Sequence, residues 1–325
     1  MLQRPAMLFL VLLCSSPWLH DARAGDSARR CLYINSYHQG YAWSDVIGAS
    51  LRHGLEGVCE VREERLDSKR HPQPDFQQAR ARAVMAVVKS WKPDIIIASD
   101  DNSIRWVVMP WLRDSDIPVV FCGLNWSMDE YELPYPNTTG MIEVAPIRPL
   151  FRQVSRIVLP ARRALYIDTD NITGHKDLER HQRIGRQLDI RIDGRLVRSL
   201  DEWRQALAEA QDYDFIILGS SSGITGWDDA LVEQEIVLHN RRLIVTAYRW
   251  IMRFAHYGLV KLASEQGEWA ALTARTLLET PLKPSDIAVI TNRKWDVWFN
   301  PALMRANDIR IPSRLLEKAK RVNVP

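Results

Sequence analysis

The sequence predicts an α/β fold of two similar lobes, each a parallel sheet flanked by helices, with a cleft between them. Three observations carry this. Short, continuously apolar runs alternate with amphipathic ones, the rhythm of strands joined by crossover helices. The rhythm breaks over residues 125–145, where Pro134, Pro136, Asn137 and Gly140 cluster, and then restarts. Finally, the apolar runs end in small hydroxyls, amides, carboxylates or aromatics, the groups that line clefts at strand ends.

Cys31–Asn35 reads as a buried strand, followed by a loop to Tyr41 and a helix from about Ser44. Val58–Leu66 is strand-like, and Pro74–Ser90 has the apolar spacing of an amphipathic helix. Asp94–Ala98 and Pro118–Cys122 are the apolar strands of a sheet covered on both faces, with a helix over Ser103–Leu112 between them. Met141–Glu143 forms a short connecting strand. The second unit then runs through a helix at Ile147–Val158 and strands at Arg163–Ile167, Ile190–Val197, Phe215–Leu218 and Leu243–Thr246. Helices over 175–188, 201–210 and 228–239 separate these strands. A long helix over Gly258–Leu278, strands at Ile287–Ile290 and Val297–Phe299, and a final helix after Pro312 supply enough chain to recross both lobes.

The 325 residues suit about two domains. Lys and Arg total 43 against 40 Asp and Glu, too balanced for a protein that binds nucleic acid through a large basic surface. Arg4, the apolar stretch Met7–Leu13 and Ala22-Arg23-Ala24 have the layout of a cleaved secretory leader over residues 1–24. Cys14 follows Leu13 rather than a small residue, which favours a free exported protein over a lipoprotein. Export places Cys31, Cys59 and Cys122 where disulfides persist. Cys31 and Cys59 can be bridged if their strands are neighbours; the alternative is three reduced thiols.

The strand ends offer Ser36, Tyr37 and His38; Asp100, Asp101 and Asn102; Gly123, Asn125 and Trp126 in the first unit. Asp168, the Gly219–Gly223 turn and Tyr248 follow in the second. Small hydroxyls and helix-start amides hold anions, aspartates hold amines, and aromatics cover planar or apolar bodies. Each polar residue alone is as well read as a helix cap; the set together favours a binding cleft. Of the paired Asp100-Asp101, one is expected to cap and one to touch ligand. The histidines show no H-E-x-x-H and the cysteines no C-x-x-C, so no metal site is indicated, and no phosphate-binding glycine loop marks a nucleotide cofactor. Gly219-Ser220-Ser221-Ser222-Gly223 matches G-x-S-x-G, with Asp228 or Asp229 and His239 or His256 following in hydrolase order. A serine hydrolase using Ser221 is therefore a minor alternative, weakened because Ile224–Trp227 separate the turn from the next helix start.

Tyr33-Ile-Asn-Ser-Tyr-His38 with Trp43-Ser-Asp45, the Asp94–Asp101 strand and turn, and Pro118-Val-Val-Phe-Cys-Gly-Leu-Asn125 resemble the ABC transporter substrate-binding protein family that includes tryptophan- and tyrosine-binding lipoproteins. Glu265-Gln-Gly267, Phe299-Asn-Pro301 and Ile309-Arg-Ile-Pro312-Ser313 follow that family's ending. The resemblance spans about 29–322 and implies a type I periplasmic-binding-protein fold: two Rossmann-like lobes joined by three crossovers and closing on a small ligand. It implies one lobe from 29–143 with 250–280 and the other from 144–249 with 281–325. Carried onto this chain, it nominates Ser36, Tyr37, Asp101, Asn102, Gly123 and Asn125 from the first lobe. From the second it nominates Asp168, Ser220, Ser221 and Tyr248. The implied role is a monomeric, periplasmic, non-enzymatic carrier without cofactor, which delivers an amino-acid-like or other small solute to a membrane permease. A periplasmic partner of a membrane sensor kinase is the alternative. The family's lipid-anchor cysteine is missing, and the Tyr37–Trp43 loop is more aromatic than expected of the amino-acid binders.

Overall fold

A computed structural model describes residues 29–322; the expected leader over 1–24 lies outside them. In lobe 1 the chain forms β1 (Arg30–Asn35), α1 (Ala42–Gly54), β2 (Glu60–Arg65), α2 (Pro74–Trp91) and β3 (Ile95–Ser99). Then come α3 (Asp100–Ser103), β4 (Val119–Asn125) and β5 (Thr138–Glu143). The expected helix over Ser103–Leu112 is the π-helical continuation of α3, Ile104–Leu112, with Pro110 inside it.

Lobe 2 comprises α4 (Ile147–Val154), β6 (Arg163–Thr169), α5 (Ile172–Arg186), β7 (Arg191–Val197) and α6 (Leu200–Glu209). It continues with β8 (Phe215–Leu218), α7 (Asp229–His239), β9 (Leu243–Thr246) and β10 (Tyr257–Lys261). The chain returns to lobe 1 for α8 (Ala263–Glu279) and β11 (Ile290–Thr291), then to lobe 2 for β12 (Trp295–Phe299), α9 (Pro301–Ala306) and β13 (Lys320–Arg321).

The sheets run β11-β5-β4-β3-β1-β2 and β13-β12-β10-β9-β8-β6-β7. Their cores therefore share one strand order, with a reversal at β1/β3 in one lobe and β6/β8 in the other. All pairings are parallel except β10 with β12. The continuous Ile, Val and Leu runs of β1, β3, β4, β6, β8 and β9 are buried, as both faces of each sheet are covered by helices.

Several expected boundaries move. The helix expected over Gly258–Leu278 begins only at Ala263, because Tyr257–Lys261 is a strand wedged between β9 and β12. Gly258 permits that approach: a Cβ there would lie 2.3 Å from Met252 Sδ and 2.7 Å from the Thr246 carbonyl oxygen. The crossing into lobe 1 thus follows Lys261, not residue 249. The return follows Thr291, not residue 280, because β11 pairs with β5. The helix expected after Pro312 is a single 3₁₀ turn, Ser313–Leu315, leading into β13.

Three crossovers join the lobes, at Val144–Pro146, Leu262 and Asn292–Lys294, and side chains stitch them together. Asn292 accepts from Val144 N at 2.7 Å and donates to Val144 O at 3.2 Å. Glu265, in the first turn of α8, accepts from Arg293 N and Lys294 N, each at 2.8 Å. Lys261 at the end of β10 pairs with Glu143 at the end of β5, so the carboxyl ends of the two sheets meet across the crossovers.

Cys31 and Cys59 form a disulfide, with Cα atoms 5.9 Å apart, and Cys122 is a buried free thiol. The bridge follows from the pairing of β1 and β2, which sets Cys31 beside the residues following Cys59. No helix among the described residues is long and apolar enough to cross a membrane.

Candidate ligand cleft

At each sheet's reversal point neighbouring strands diverge, leaving backbone groups that need partners. In lobe 1, Ser36 supplies them: its Oγ donates to Ser99 O at 2.6 Å and accepts from Ser103 N at 2.8 Å. In lobe 2, Asp168 does the same work. Its Oδ1 accepts from Thr169 N (2.7 Å) and Ser220 N (2.9 Å), and its Oδ2 accepts from the Tyr166 hydroxyl. Burial outweighs these bonds and pushes the Asp168 carboxyl up to about 6. Both nominated residues are turned into the protein's own backbone.

Asp101 is likewise occupied. It accepts from Asn125 Nδ2 at 2.6 Å, from Asn125 N at 3.3 Å and from the Tyr131 hydroxyl at 2.9 Å. Asn125 is thereby the partner of Asp101, joining the ends of β3 and β4. Gly123 has φ +68° and donates its N–H to Gln266 Oε1 at 2.8 Å. Asn102 is half-buried and makes no side-chain hydrogen bond among the described residues.

Asp100, which the sequence left beside its neighbour, has the open carboxyl. It adopts φ +66°, a conformation most non-glycine residues avoid, and is only 2% exposed. Its side chain accepts no hydrogen bond among the described residues, and Oδ2 is buried without a partner. Burial first, then Glu143 and Asp101, hold its carboxyl well above the usual carboxylate range, opposed by Lys261 and Lys69. Glu143 is also buried; Lys261 meets its Oε1 while Oε2 has no partner. Gln266, on the first turn of α8, leaves Nε2 buried and unpaired.

Aromatics border this floor. The rings of Tyr37 and Tyr41 lie 4.7 Å apart, and Lys69 Nζ sits 5.0 and 5.1 Å from their centres. Burial and the nearby Asp100 raise the Tyr37 hydroxyl far above its ordinary value. Lys261 Nζ lies 5.3 Å from the Trp43 ring, whose Nε1 is buried without a partner.

On the opposite lobe, Ser220 anchors its turn by accepting from Thr169 Oγ1 at its carbonyl and from Ser222 N at its hydroxyl. Ser221 is half-buried, and its hydroxyl is unbonded among the described residues. Tyr248 donates its hydroxyl to Asp177 and lies against Trp250, the rings tilted 37° with centres 4.8 Å apart. Asp177 in turn takes Arg180 at 2.8 Å, and the Arg180 guanidinium lies 4.1 Å from the ring of Trp126 in the other lobe. A separate groove of about 950 Å³ runs beside the crossovers, bounded by Trp126, Asn292, Arg148 and the Lys176–Arg183 face of α5.

The hydrolase constellation does not assemble. His239 pairs with Glu235, and buried His256 accepts from Ile244 N and bonds Asn307, so neither reaches Ser221. A loop from Ser222 to Asp228 also separates the serines from α7, where a nucleophile elbow needs an immediate helix. Among the described residues no group of three or more His, Cys, Asp or Glu is placed to hold a metal ion.

These two like-ordered lobes, joined by three crossovers with their strand ends together, define the type I periplasmic-binding-protein fold, and solved structures agree. The chain is similar to a substrate-binding protein with adhesive properties from Clostridium difficile in its ligand-free, open form. That match has a TM-score of 0.73 at 12% identity and covers 92% of this chain and 100% of that one. It is similar to an ABC domain in complex with L-Trp from Streptococcus pneumonia, with TM-score 0.57, 13% identity, and 91% and 100% covered. A periplasmic ribose ABC transporter protein from Conexibacter woesei gives TM-score 0.58, 14% identity, and 91% and 97% covered. No protein-family model and no curated protein sequence matches the chain. At these identities the neighbours share the fold with this chain.

Proposed function

We propose that the protein is an extracytoplasmic solute-binding protein, which captures a small molecule by closure of its lobes and delivers it to an ABC-type permease. The observation that carries this reading is the meeting of the two sheets' carboxyl ends over a floor with unsatisfied polar groups. Asp100, Glu143 and Gln266 hold buried oxygen or nitrogen atoms without partners beside the crossovers. A buried polar atom left unpaired costs about 1–3 kcal/mol, so a solute that supplies the missing partners favours the closed form. The crossovers are narrow, three chain segments stitched by Asn292 and Glu265, which suits a hinge. The L-Trp, ribose and other solutes named for its structural neighbours support capture of a small molecule as the use of this fold.

The test is a thermal-shift screen of amines, amino acids, sugars and carboxylates on the purified chain. A true ligand held at one hundred times its Kd adds about 2.7 kcal/mol of stability. The same ligand should shrink the radius of gyration in small-angle scattering, and cells lacking the chain should lose its uptake. A ligand-free screen at millimolar concentrations, or binding without compaction, would overturn the reading.

A further inference from the structure

We infer that the solute is a small organic cation, whose protonated amine sits between the carboxyl groups of Asp100 and Glu143 at the floor of lobe 1. The inference rests on the solute-capture reading and names the chemical class that the cleft accepts.

The two carboxyl groups come from different strands, β3 and β5, and each keeps a buried oxygen with no donor. Both are more than nine-tenths buried, and among the described residues the Asp100 side chain caps no helix and joins no ion pair closer than 4 Å. The backbone at Asp100 is nonetheless held at φ +66°, and the adjacent Gly123 on β4 also has a positive φ, +68°. A Cβ on Gly123 would stand 3.5 Å from the Asp100 carboxyl carbon. Strain of this kind at a strand end, around a carboxyl that serves no internal contact, is what a ligand clamp requires.

The charges around Asp100 favour a cation. Glu143 on β5, Asp101 on its own helix, Lys261 on β10 and Lys69 after β2 are the charged groups that face it, with Tyr37 and Cys122 as the neutral neighbours. With Asp100 ionised, three acids face two bases, so a monocation that draws the proton off Asp100 balances the floor. Several amides that could hold a carboxylate are already taken. Asp168 fills the turn at Thr169 N and Ser220 N, Ser220 Oγ takes Ser222 N, and Gln266 takes Gly123 N. Tyr37 and Trp43 flank the position with π faces that attract a cation, and their present occupants are the ammonium groups of Lys69 and Lys261.

The experiment measures affinity by calorimetry for phenethylamine, tyramine, putrescine and choline as cations, L-tryptophan and L-tyrosine as zwitterions, 3-phenylpropionate as an anion and ribose as a neutral solute. It is repeated in Asp100→Asn and Glu143→Gln. Asparagine tolerates positive φ better than other side chains, so the first variant keeps the backbone; glutamine keeps an acceptor for Lys261. The expected result is binding confined to cations, weakened about ten- to hundredfold in each variant, with each variant compared at a temperature well below its own melting point. Preference for the zwitterions, the anion or ribose, or a cation bound equally well by both variants, overturns the assignment and leaves solute capture standing. Binding of none of these probes overturns the assignment, and a blank in the wider screen overturns solute capture with it.

Discussion

Replacing Glu265 tests how the hinge is held. Its carboxylate accepts Arg293 N and Lys294 N, each at 2.8 Å, and thereby fastens the third crossover to the start of α8, where the second crossover ends. A hydrogen bond to a charged group contributes about 1.5–3 kcal/mol. Arg293 and Lys294 are exposed, so water can replace part of what Glu265→Ala removes. The expected loss is therefore about 2–4 kcal/mol, at the low end of two such bonds. Glu265→Gln keeps one acceptor and loses the charge at a helix N-terminus, which gives about half that loss. Urea denaturation reads the stability, and small-angle scattering reads the mean separation of the lobes. A graded loss, alanine worse than glutamine, with a broader interlobe distribution in the alanine variant, is the expected outcome. Equal stability of both variants with the native protein would mean that the pairing of β11 with β5 and of β12 with β10 alone fixes the crossover, and the stitching argument would fail.

Other perturbations separate the remaining terms. The Cys31–Cys59 bridge spans a sequence separation of 28, and the loop it closes predicts a loss of about 3–4 kcal/mol in Cys31→Ala/Cys59→Ala; a loss near zero in denaturant melts would show that the reduced chain is equally constrained. Asp168, raised to about 6 by burial, contributes stability that is full below its unfolded value near 3.9 and fades as pH rises through 6. Asp168→Asn should therefore gain about 2–3 kcal/mol at pH 7–8 and little at pH 4; a loss at pH 7 would refute the assignment. His256 runs the other way. Burial lowers it to about 4, so its contribution is present above pH 6.5 and fades as pH falls through 4. Its imidazole should show an unprotonated Nδ1, the acceptor from Ile244 N, in ¹⁵N spectra down to pH 5, and titration near 6.5 would refute that.

The fold class was legible because it rests on periodicity. Apolar strand runs and the irregular joint after Asn125 mark two lobes, and the leading strands sit within a residue or two of their expected places. The failures came where a short element serves both lobes. Tyr257–Lys261 carries a glycine and a lysine in five residues and continues without a break into α8, so nothing local separates strand from helix. Its strand character comes from β9 and β12 on either side.

The tail triplet Glu265-Gln-Gly267 was visible as a pattern, while its reason needed the structure. Glu265 pins the third crossover, and Gln266 caps the kinked Gly123. Gly267 lets α8 touch α1, since a Cβ there would come within 2.3 Å of the Ile47 carbonyl oxygen.

Site residues were legible only as strand ends. The sequence locates Ser36, Asp101 and Asp168 there, but their side chains turn back to satisfy diverging strands, an accounting that depends on which backbone groups lose their partners. The adjacent aspartates show the limit most clearly. Asp100 and Asp101 are chemically identical and both follow β3, so composition and spacing treat them alike. The sign of φ at Asp100 separates them: a left-handed step carries its carboxyl to the floor between β3 and β5, and the helical geometry of the next residue sends Asp101 to Asn125 and Tyr131. That step is compatible with Asp, and it sets Asp100 beside Gly123 on β4, whose N–H is held by Gln266 on α8. The acid with the open carboxyl thus sits beside a glycine 23 positions away, itself held by a glutamine 166 positions away, in a sheet and a helix that no local reading can bring together.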